Sequence, residues 1–365
     1  MTWGEALEIL IVKIAALGDV VMALTMLPAI EKHYPQARVT WLTAKQTAPL
    51  VQATGKVHQV IAVDEEPLLA GNRAQKIEAM LRLWIDLAGR RFDLIVTAHP
   101  DPRYRWLTRP LAAAERRGFS RRQGQRPFPV PGRYHGDEYA RLITGEEGPA
   151  QVPSVLPSVP VGLSETVRAA LATLPVPVVA LAPGGAKNIL SDVPLKRWPL
   201  SHYADLARRL LAQGCGVVLT GAASDLWVQE GFAGLDVLNL IGKTSVMDLV
   251  GLYAACDAVV THDSGPLHLA RLAGAPLVAL FGPTAPAEFI RPDARTVVLW
   301  GGAHLPCRPC YDGRRYADCH DNVCMQSVTP GQVEAEVMQL AGRAEVRPGS
   351  RPSTLRSQTE RRTPR

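Results

Sequence analysis

The sequence predicts an α/β protein built as two doubly wound parallel-sheet domains that face each other across a cleft. Three observations carry this. Short apolar runs alternate with longer amphipathic stretches, the pattern of βα units around a parallel sheet. The pattern restarts in the second half of the 365-residue chain, a length that accommodates two domains of ordinary size. Between the halves lies "GPAQVPSVLPSVPVGLS" (148–164), rich in Pro and small residues, as a linker would be. The domains are therefore assigned to residues 1–160 and 161–342.

In the first half, apolar runs rich in Ile, Val and Leu predict strands at "EILIVK" (8–13), "RVTWLT" (38–43), "QVIAV" (59–63) and "FDLIVTA" (92–98). Helices fill the gaps, notably around 19–33 and 73–89. The second half gives strands at "VVALAPG" (178–184), "GVVLTG" (216–221), "VLNLIG" (237–242), "DAVVTH" (257–262) and "PLVALFG" (276–282). Helices are expected near 164–173, 199–213, 246–255 and 265–273. In such sheets ligands gather outside the carboxyl ends of the strands, which is where chemistry is to be sought. Neither half contains GxGxxG or a P-loop.

Hydrophobic residues make up 47% of the chain and charged residues 20%, a globular composition. The formal charge of +6 points to anionic partners in a general way. Much of the excess sits in 103–126 and in "RPGSRPSTLRSQTERRTPR" (347–365). Residues 343–365 are too polar to bury a core and read as a disordered basic tail. Segment 103–126 reads either as a solvated loop and helix face or as a contact for phosphates and anionic lipids at a membrane surface. No run reaches the ~20 apolar residues of a membrane span, and the N-terminus lacks the basic start of a secretory signal. A cytoplasmic location with reduced thiols is expected, with peripheral membrane contact as an addition and nucleic acid not among the partners.

Four constellations carry polar chemistry at predicted strand ends, and a fifth is a cysteine cluster beyond them. In "KIAALGDVV" (13–21), Lys13 ends a strand and Gly18-Asp19 open a helix. Asp19 reads either as an N-cap or as a carboxylate able to take a proton from an incoming hydroxyl. In "APGGAKNILSDVPLKRWP" (182–199), Gly184-Gly185 begin an aperiodic loop whose N–H groups suit phosphate, with Lys196 or Arg197 to neutralise it. The alternative is a solvated loop with ordinary cations. "LTGAASDLW" (219–227) places Gly221, Ser224 and Asp225 at another strand end, where capping explains Ser224 or Asp225.

The fourth, "THDSGPLHLARLAG" (261–274), holds Asp263, Ser264, Gly265 and His268 at a strand-to-helix junction. Helix N-termini attract anions, and a cap accounts for only part of that set. The fifth is "CRPCYDGRRYADCHDNVC" (307–324). Cys307, Cys310, Cys319 and Cys324 are favoured as ordinary thiols, with tetrahedral Zn²⁺ as the alternative. Cys215 and Cys256 sit in apolar contexts and read as core.

Taken together, "ILIVKIAALGDVVMALTMLPAI", "PGGAKN…LKRWP", "THDSGPLHLARLAGAPLVALFGPTAP" and "CRPC…C…CM", in that order over most of 8–342, resemble glycosyltransferase family 9, the heptosyltransferases of lipopolysaccharide core assembly. The resemblance implies a GT-B fold of two Rossmann-like domains: acceptor-binding first, nucleotide-sugar-binding second. It implies inverting transfer without a metal or other cofactor, from ADP-L-glycero-D-manno-heptose to a Kdo or heptose sugar of the lipid A core. By matching position Asp19 becomes the general base; Lys13 and Gly18, in the same stretch, are expected on the acceptor side. Lys196 becomes the contact to the donor diphosphate; Asp263, Ser264, Gly265 and His268 become the donor signature, joined by Gly184 and Gly221. Other readings are another nucleotide sugar, a GT-B-like epimerase or hydrolase, or a non-catalytic nucleotide-sugar binder.

Overall fold

The computed structural model describes residues 6–119, 130, 132–145, 154–189, 191–312 and 315–344. The expected linker is described from residue 154, and it runs to residue 164 without helix or strand. The expected basic tail lies outside the described residues, apart from the last helical residues before 345, as does 120–126 of the basic segment.

The first sheet contains β1 (Glu8–Val12), β2 (Arg38–Ala44), β3 (Gln59–Val63), β4 (Arg91–Thr97) and β5 (Ala112–Gly118). All pair in parallel, in the order β3-β2-β1-β4-β5, with Ile9 opposite both Val39 and Leu94. The second half supplies β6 (Val178–Ala182), a small antiparallel hairpin of β7 (Lys187–Asn188) and β8 (Ser191–Asp192), then β9 (Gly216–Leu219), β10 (Leu238–Asn239), β11 (Ala258–His262), β12 (Leu277–Phe281) and β13 (Thr296–Trp300). Its six-stranded parallel sheet runs β10-β9-β6-β11-β12-β13.

Chain order reverses between β1 and β4 in one sheet and between β6 and β11 in the other. These are the two places where a crevice opens at the strand ends. The sequence motifs leave β1, β6 and β11 there. Strands β6, β11 and β12 are buried along their whole length, because helices cover both faces of a parallel sheet.

All nine expected strands form, with shifts at the ends; the run at 237–242 contributes only Leu238–Asn239. Four strands were not foreseen: the short hairpin strands β7 and β8, and β5 and β13. β5 reads AAAERRG, an edge strand whose residues are largely exposed, so no apolar run announces it. β13 follows a loop that carries Pro292 and Asp293. The helix expected over 19–33 is two helices, Leu17–Ala23 and Met26–His33.

The basic segment is neither a simple loop nor a helix face. It forms a 3-10 turn, Pro102–Thr108, and then β5. Several of its guanidinium groups are engaged within the chain: Arg116 donates to the Thr108 and Leu111 carbonyls, and Arg117 pairs with Glu115 and reaches the Ile143 carbonyl.

One buried apolar cluster runs from the first domain (Val20, Val21, Leu27) into the second (Leu267, Leu269, Phe281), so the domains meet over a shared core. At about 25 cal/mol per Å² of apolar surface, such contact favours apposition of the two halves.

Candidate active site

The first wall of the cleft is made at the end of β1. Lys13 follows the strand directly and is 1% exposed. The helix Leu17–Ala23 then brings Asp19 back, so that Lys13 Nζ lies 3.3 Å from Asp19 Oδ2. Asp19 sits inside the first turn and caps nothing: Ala16 is the N-cap, and no side chain bonds there. This disposes of the N-cap alternative. The Asp19 side chain keeps 39% of its exposure, so the carboxylate still reaches the cleft.

Burial pushes Asp19 up, but the Lys13 ammonium, His135 and His268 outweigh it and the net direction is down. Lys13 moves down too: burial lowers it by more than Asp19 raises it. Its ammonium also stands 5.2 Å over the Tyr139 ring. Lys13, expected on the acceptor side, is buried, and its ammonium meets the cleft through its contact with Asp19.

The helix His135–Thr144 closes this wall. Its His135 is buried against the Phe289 ring of the second domain, at 4.6 Å between centroids. Tyr139 is buried as well, and burial followed by the Asp19 charge pushes its hydroxyl well above the ordinary range, which keeps it a donor. Below, His99 accepts a hydrogen bond from the Ile14 N–H at 2.9 Å and stacks on Tyr104 at 3.6 Å. Sequence reading missed His135, Tyr139 and His99. Their signal is polar residues on otherwise apolar faces, as in "HGDEYARLI", which becomes legible only once the core is known.

The second wall combines β6, β11 and the loop between β8 and the helix Leu200–Ala212. Lys196, in the 3-10 turn Pro194–Lys196, places Nζ 2.8 Å from Asp263 Oδ2. Thr284 donates to the same oxygen at 2.8 Å. Lys196 lies 5.1 Å over the Phe289 ring. Burial pulls Lys196 down, but Asp263 and then Tyr316 outweigh it and hold it above its ordinary value. Burial raises Asp263, and Lys196 more than reverses that. Both partners are therefore charged. Trp198, two residues on, is 1% exposed and donates to the Val328 carbonyl at 2.8 Å, which anchors the Lys196 turn.

Ser264 is the N-cap of the helix Gly265–Leu272, but its hydroxyl donates to the His262 carbonyl at 3.2 Å and caps no N–H. Pro266 removes one further donor, so Gly265 supplies the N–H nearest that helix end. Gly185 (φ +82°) packs on Ser264: a Cβ there would lie 3.2 Å from the Ser264 Cβ. The two adjacent strand ends thus bring their backbones together.

Gly184 and Gly221, expected as donor contacts, share another neighbour. A Cβ on Gly184 would come within 2.3 Å of Asp225 Cγ, and one on Gly221 within 3.1 Å of its Cβ. Asp225 is buried and accepts from the N–H groups of Gly185 (3.0 Å) and Ala222 (2.9 Å). The two glycines make room for the carboxylate that holds both loops; Ser224 is exposed.

The walls touch. A Cβ on Gly18 would lie 2.4 Å from His268 Cδ2, and one on Gly265 would lie 3.0 Å from Leu17 Cδ2. His268 and His135 each lie within electrostatic reach of both Asp19 and Asp263, between the two walls. Burial lowers both histidines to about 4, leaving them neutral near pH 7. Further along the same interface a cavity of about 370 Å³ is lined by Arg133 and Tyr134 from one side and Ile290 and Arg291 from the other. Arg291 pairs with Asp137 across it.

The cysteines divide as expected between core and loop: Cys215 and Cys256 are buried, Cys307 is exposed, and Cys310, Cys319 and Cys324 are intermediate. Among the described residues no group of three or more His, Cys, Asp or Glu is arranged to hold a metal ion, while Cys310 and Cys324 each lie within electrostatic reach of Cys307 and Cys319.

The chain is 29% identical over 331 residues to lipopolysaccharide heptosyltransferase 2 of Escherichia coli K12, spanning 82% of this chain and 90% of that protein. It is 26% identical over 364 residues to lipooligosaccharide heptosyltransferase 2 of Haemophilus ducreyi, spanning 92% and 99%. The solved E. coli ADP-heptose lps heptosyltransferase II shares the fold with a TM-score of 0.69 at 23% identity, over 93% of this chain and all of that one. A family 9 glycosyl transferase from Veillonella parvula superposes with a TM-score of 0.72 at 18% identity, over 94% and 99%. The shared architecture is the GT-B fold. The family profile described as "Glycosyltransferase family 9 (heptosyltransferase)" matches residues 80–320, well over half the chain. The chain belongs to glycosyltransferase family 9, the heptosyltransferases, and is a glycosyltransferase.

Proposed function

We propose that this enzyme is an inverting, metal-independent heptosyltransferase that moves heptose from ADP-L-glycero-D-manno-heptose to a Kdo or heptose sugar of the lipopolysaccharide inner core. It would work at the cytoplasmic face of the inner membrane. The observation that carries the reading is the placement of Asp19 and the Lys196–Asp263 pair on opposite walls of one cleft. Both are at topological switch points, and the two walls meet through Gly18 and His268.

In this reading the acceptor hydroxyl approaches Asp19. As the oxygen attacks the anomeric carbon, its proton passes to the Asp19 carboxylate and the bond from that carbon to the diphosphate oxygen breaks. ADP leaves on the far side, so the configuration inverts. Lys13 and Tyr139 hold the carboxylate ionised and in place. Charge that develops on the leaving diphosphate meets Lys196, oriented by Asp263 and Thr284, and the Gly265 helix end. Asp225 fixes the Gly185 loop that would approach the same phosphates. A relative supports the donor class: one solved structure is E. coli heptosyltransferase WaaC with ADP-2-deoxy-2-fluoro heptose.

The test is product identification. The purified chain is incubated with ADP-, UDP- or GDP-sugars and a truncated lipid A core, and the product is read by mass. Addition of one heptose to the core from the ADP donor is expected. Free sugar or an epimer formed without acceptor would favour a hydrolase or epimerase and overturn the transferase reading.

A further inference from the structure

The helix Arg73–Asp86 has an unusual outer face. Its buried side is narrow: Leu83 alone is buried within it, and Leu87 follows at its end. On the opposite side Ile77, Leu81 and Ile85 are 58%, 49% and 73% exposed. Four-residue spacing puts these three within about 80° of arc, at about 100° per residue. The stripe is flanked by Trp84, whose indole N–H donates to the Leu107 carbonyl at 2.9 Å. That contact joins the helix to the 3-10 turn Pro102–Thr108, where Trp106 is 53% exposed with the Arg109 guanidinium 4.4 Å from its ring.

Four large apolar side chains thus share one surface, which water penalises unless something covers it. Cations surround it. Arg73, Lys76, Arg105 and Arg109 are in no ion pair among the described residues, Arg105 donating to the Phe119 carbonyl; of the nearby acids, Glu78 and Asp101 are paired with Arg82 and Arg103, and Asp86 at the helix end is the exposed exception. An apolar stripe ringed by unpaired cations complements an anionic lipid surface.

The position fits. Tyr104, in the same 3-10 turn, stacks on His99, which bonds to the Ile14 N–H beside Lys13. The surface therefore adjoins the wall that carries Asp19.

We propose that Ile77, Leu81, Ile85 and Trp106, with Arg73, Lys76, Arg105 and Arg109, form the face by which this enzyme docks on an anionic bilayer. Docking there presents a lipid-linked acceptor to Asp19; this deepens the functional reading above and rests on its lipid-linked acceptor. Among the described residues no helix is long and apolar enough to cross a membrane, so contact of this kind is interfacial.

The experiment is co-sedimentation of the full chain with vesicles of phosphatidylglycerol and phosphatidylethanolamine, and with phosphatidylcholine alone. The wild type is expected to partition onto the anionic vesicles. Ile77→Ser, Leu81→Ser, Ile85→Ser and Trp106→Ser combined should reduce that partition more than tenfold, with circular dichroism and melting temperature unchanged because all four side chains are exposed. Arg73→Ala with Lys76→Ala should cost about fivefold per cation on anionic vesicles and nothing on phosphatidylcholine. Equal partition of the fourfold variant and wild type would overturn the proposal. So would a concentration-dependent dimer that this variant abolishes without loss of vesicle binding, since a second copy would then be the occupant. Transfer to a deacylated, soluble core is measured in parallel. The fourfold variant should retain wild-type turnover on it, and absence of that transfer in the wild type would contradict the functional reading and not the docking face.

Discussion

Replacing Gly18 with Ala tests whether the two walls meet during catalysis. The added methyl would stand 2.4 Å from His268 Cδ2. Carbon atoms at rest sit about 3.5 Å or more apart, so the contact must open by about 1 Å. His268 is itself buried and packed, so relief comes from swinging a site residue or from parting the domains. Either displaces the groups that must converge, and a misplacement of about 1 Å costs on the order of 100-fold in rate. Local helix stability works the other way: Gly18 lies in the first turn of Leu17–Ala23, and Ala favours an interior helical position by about 1 kcal/mol over Gly. Gly18→Ala is therefore expected to lower kcat/KM by about 10- to 100-fold while the melting temperature changes little. Steady-state transfer kinetics and calorimetry on the same preparation check both halves. Wild-type turnover would refute the apposition of Gly18 and His268 in the active state. A collapse in melting temperature with activity falling in proportion would place the effect in folding instead.

Two further outcomes concern the buried charges. Lys196→Met strands Asp263, 4% exposed, with Thr284 as its remaining donor, and should cost about 3 kcal/mol in urea unfolding; adding Asp263→Asn should recover most of it. Failure of the second change to restore stability would mean that the pair is not coupled as its 2.8 Å separation implies. Stability should also fall on mild acidification. His135 and His268 are lowered to about 4 and His262 to about 3 by burial, against about 6.5 in an unfolded chain. Between pH 6.5 and 4 the unfolded state binds protons that the folded state refuses, so stability drops by up to about 1.4 kcal/mol per pH unit for each histidine. The Asp19 and Asp263 contributions, from carboxylates held below their ordinary value, are lost only at lower pH. Urea midpoints across that range would show the slope, and a flat profile would contradict burial of neutral imidazoles.

What could be read from the sequence was local. Strands β1, β6, β11 and β12 are continuous apolar runs because helices cover both their faces, and such runs need no tertiary knowledge to recognise. β5 was illegible for the opposite reason: an exposed edge strand carries AAAERRG, which no apolar pattern distinguishes from a loop. The motif glycines were visible as glycines, but their reasons were not. Gly18 answers to His268 from the other domain, and Gly184 and Gly221 answer to one carboxylate, Asp225, held 40 residues from Gly185. Lys13 and Asp19, six residues apart, could be noticed together, yet only the turn between β1 and its helix makes them partners. His135 and Tyr139 reach Asp19 through a helix more than a hundred residues downstream, a contact that no local spacing encodes.

Asp19 is the centre of the account, and Asp19→Asn tests it with almost no change in shape. The variant keeps the volume of the side chain and loses the ability to accept a proton. Transfer from an ADP-heptose donor and donor affinity, the latter by calorimetric titration with ADP, are measured on the same protein. Transfer is expected to fall by about 10²- to 10⁴-fold, the usual contribution of a general base, while ADP should bind as in the wild type because its proposed contacts lie on the other wall. Transfer within a few-fold of wild type would contradict it.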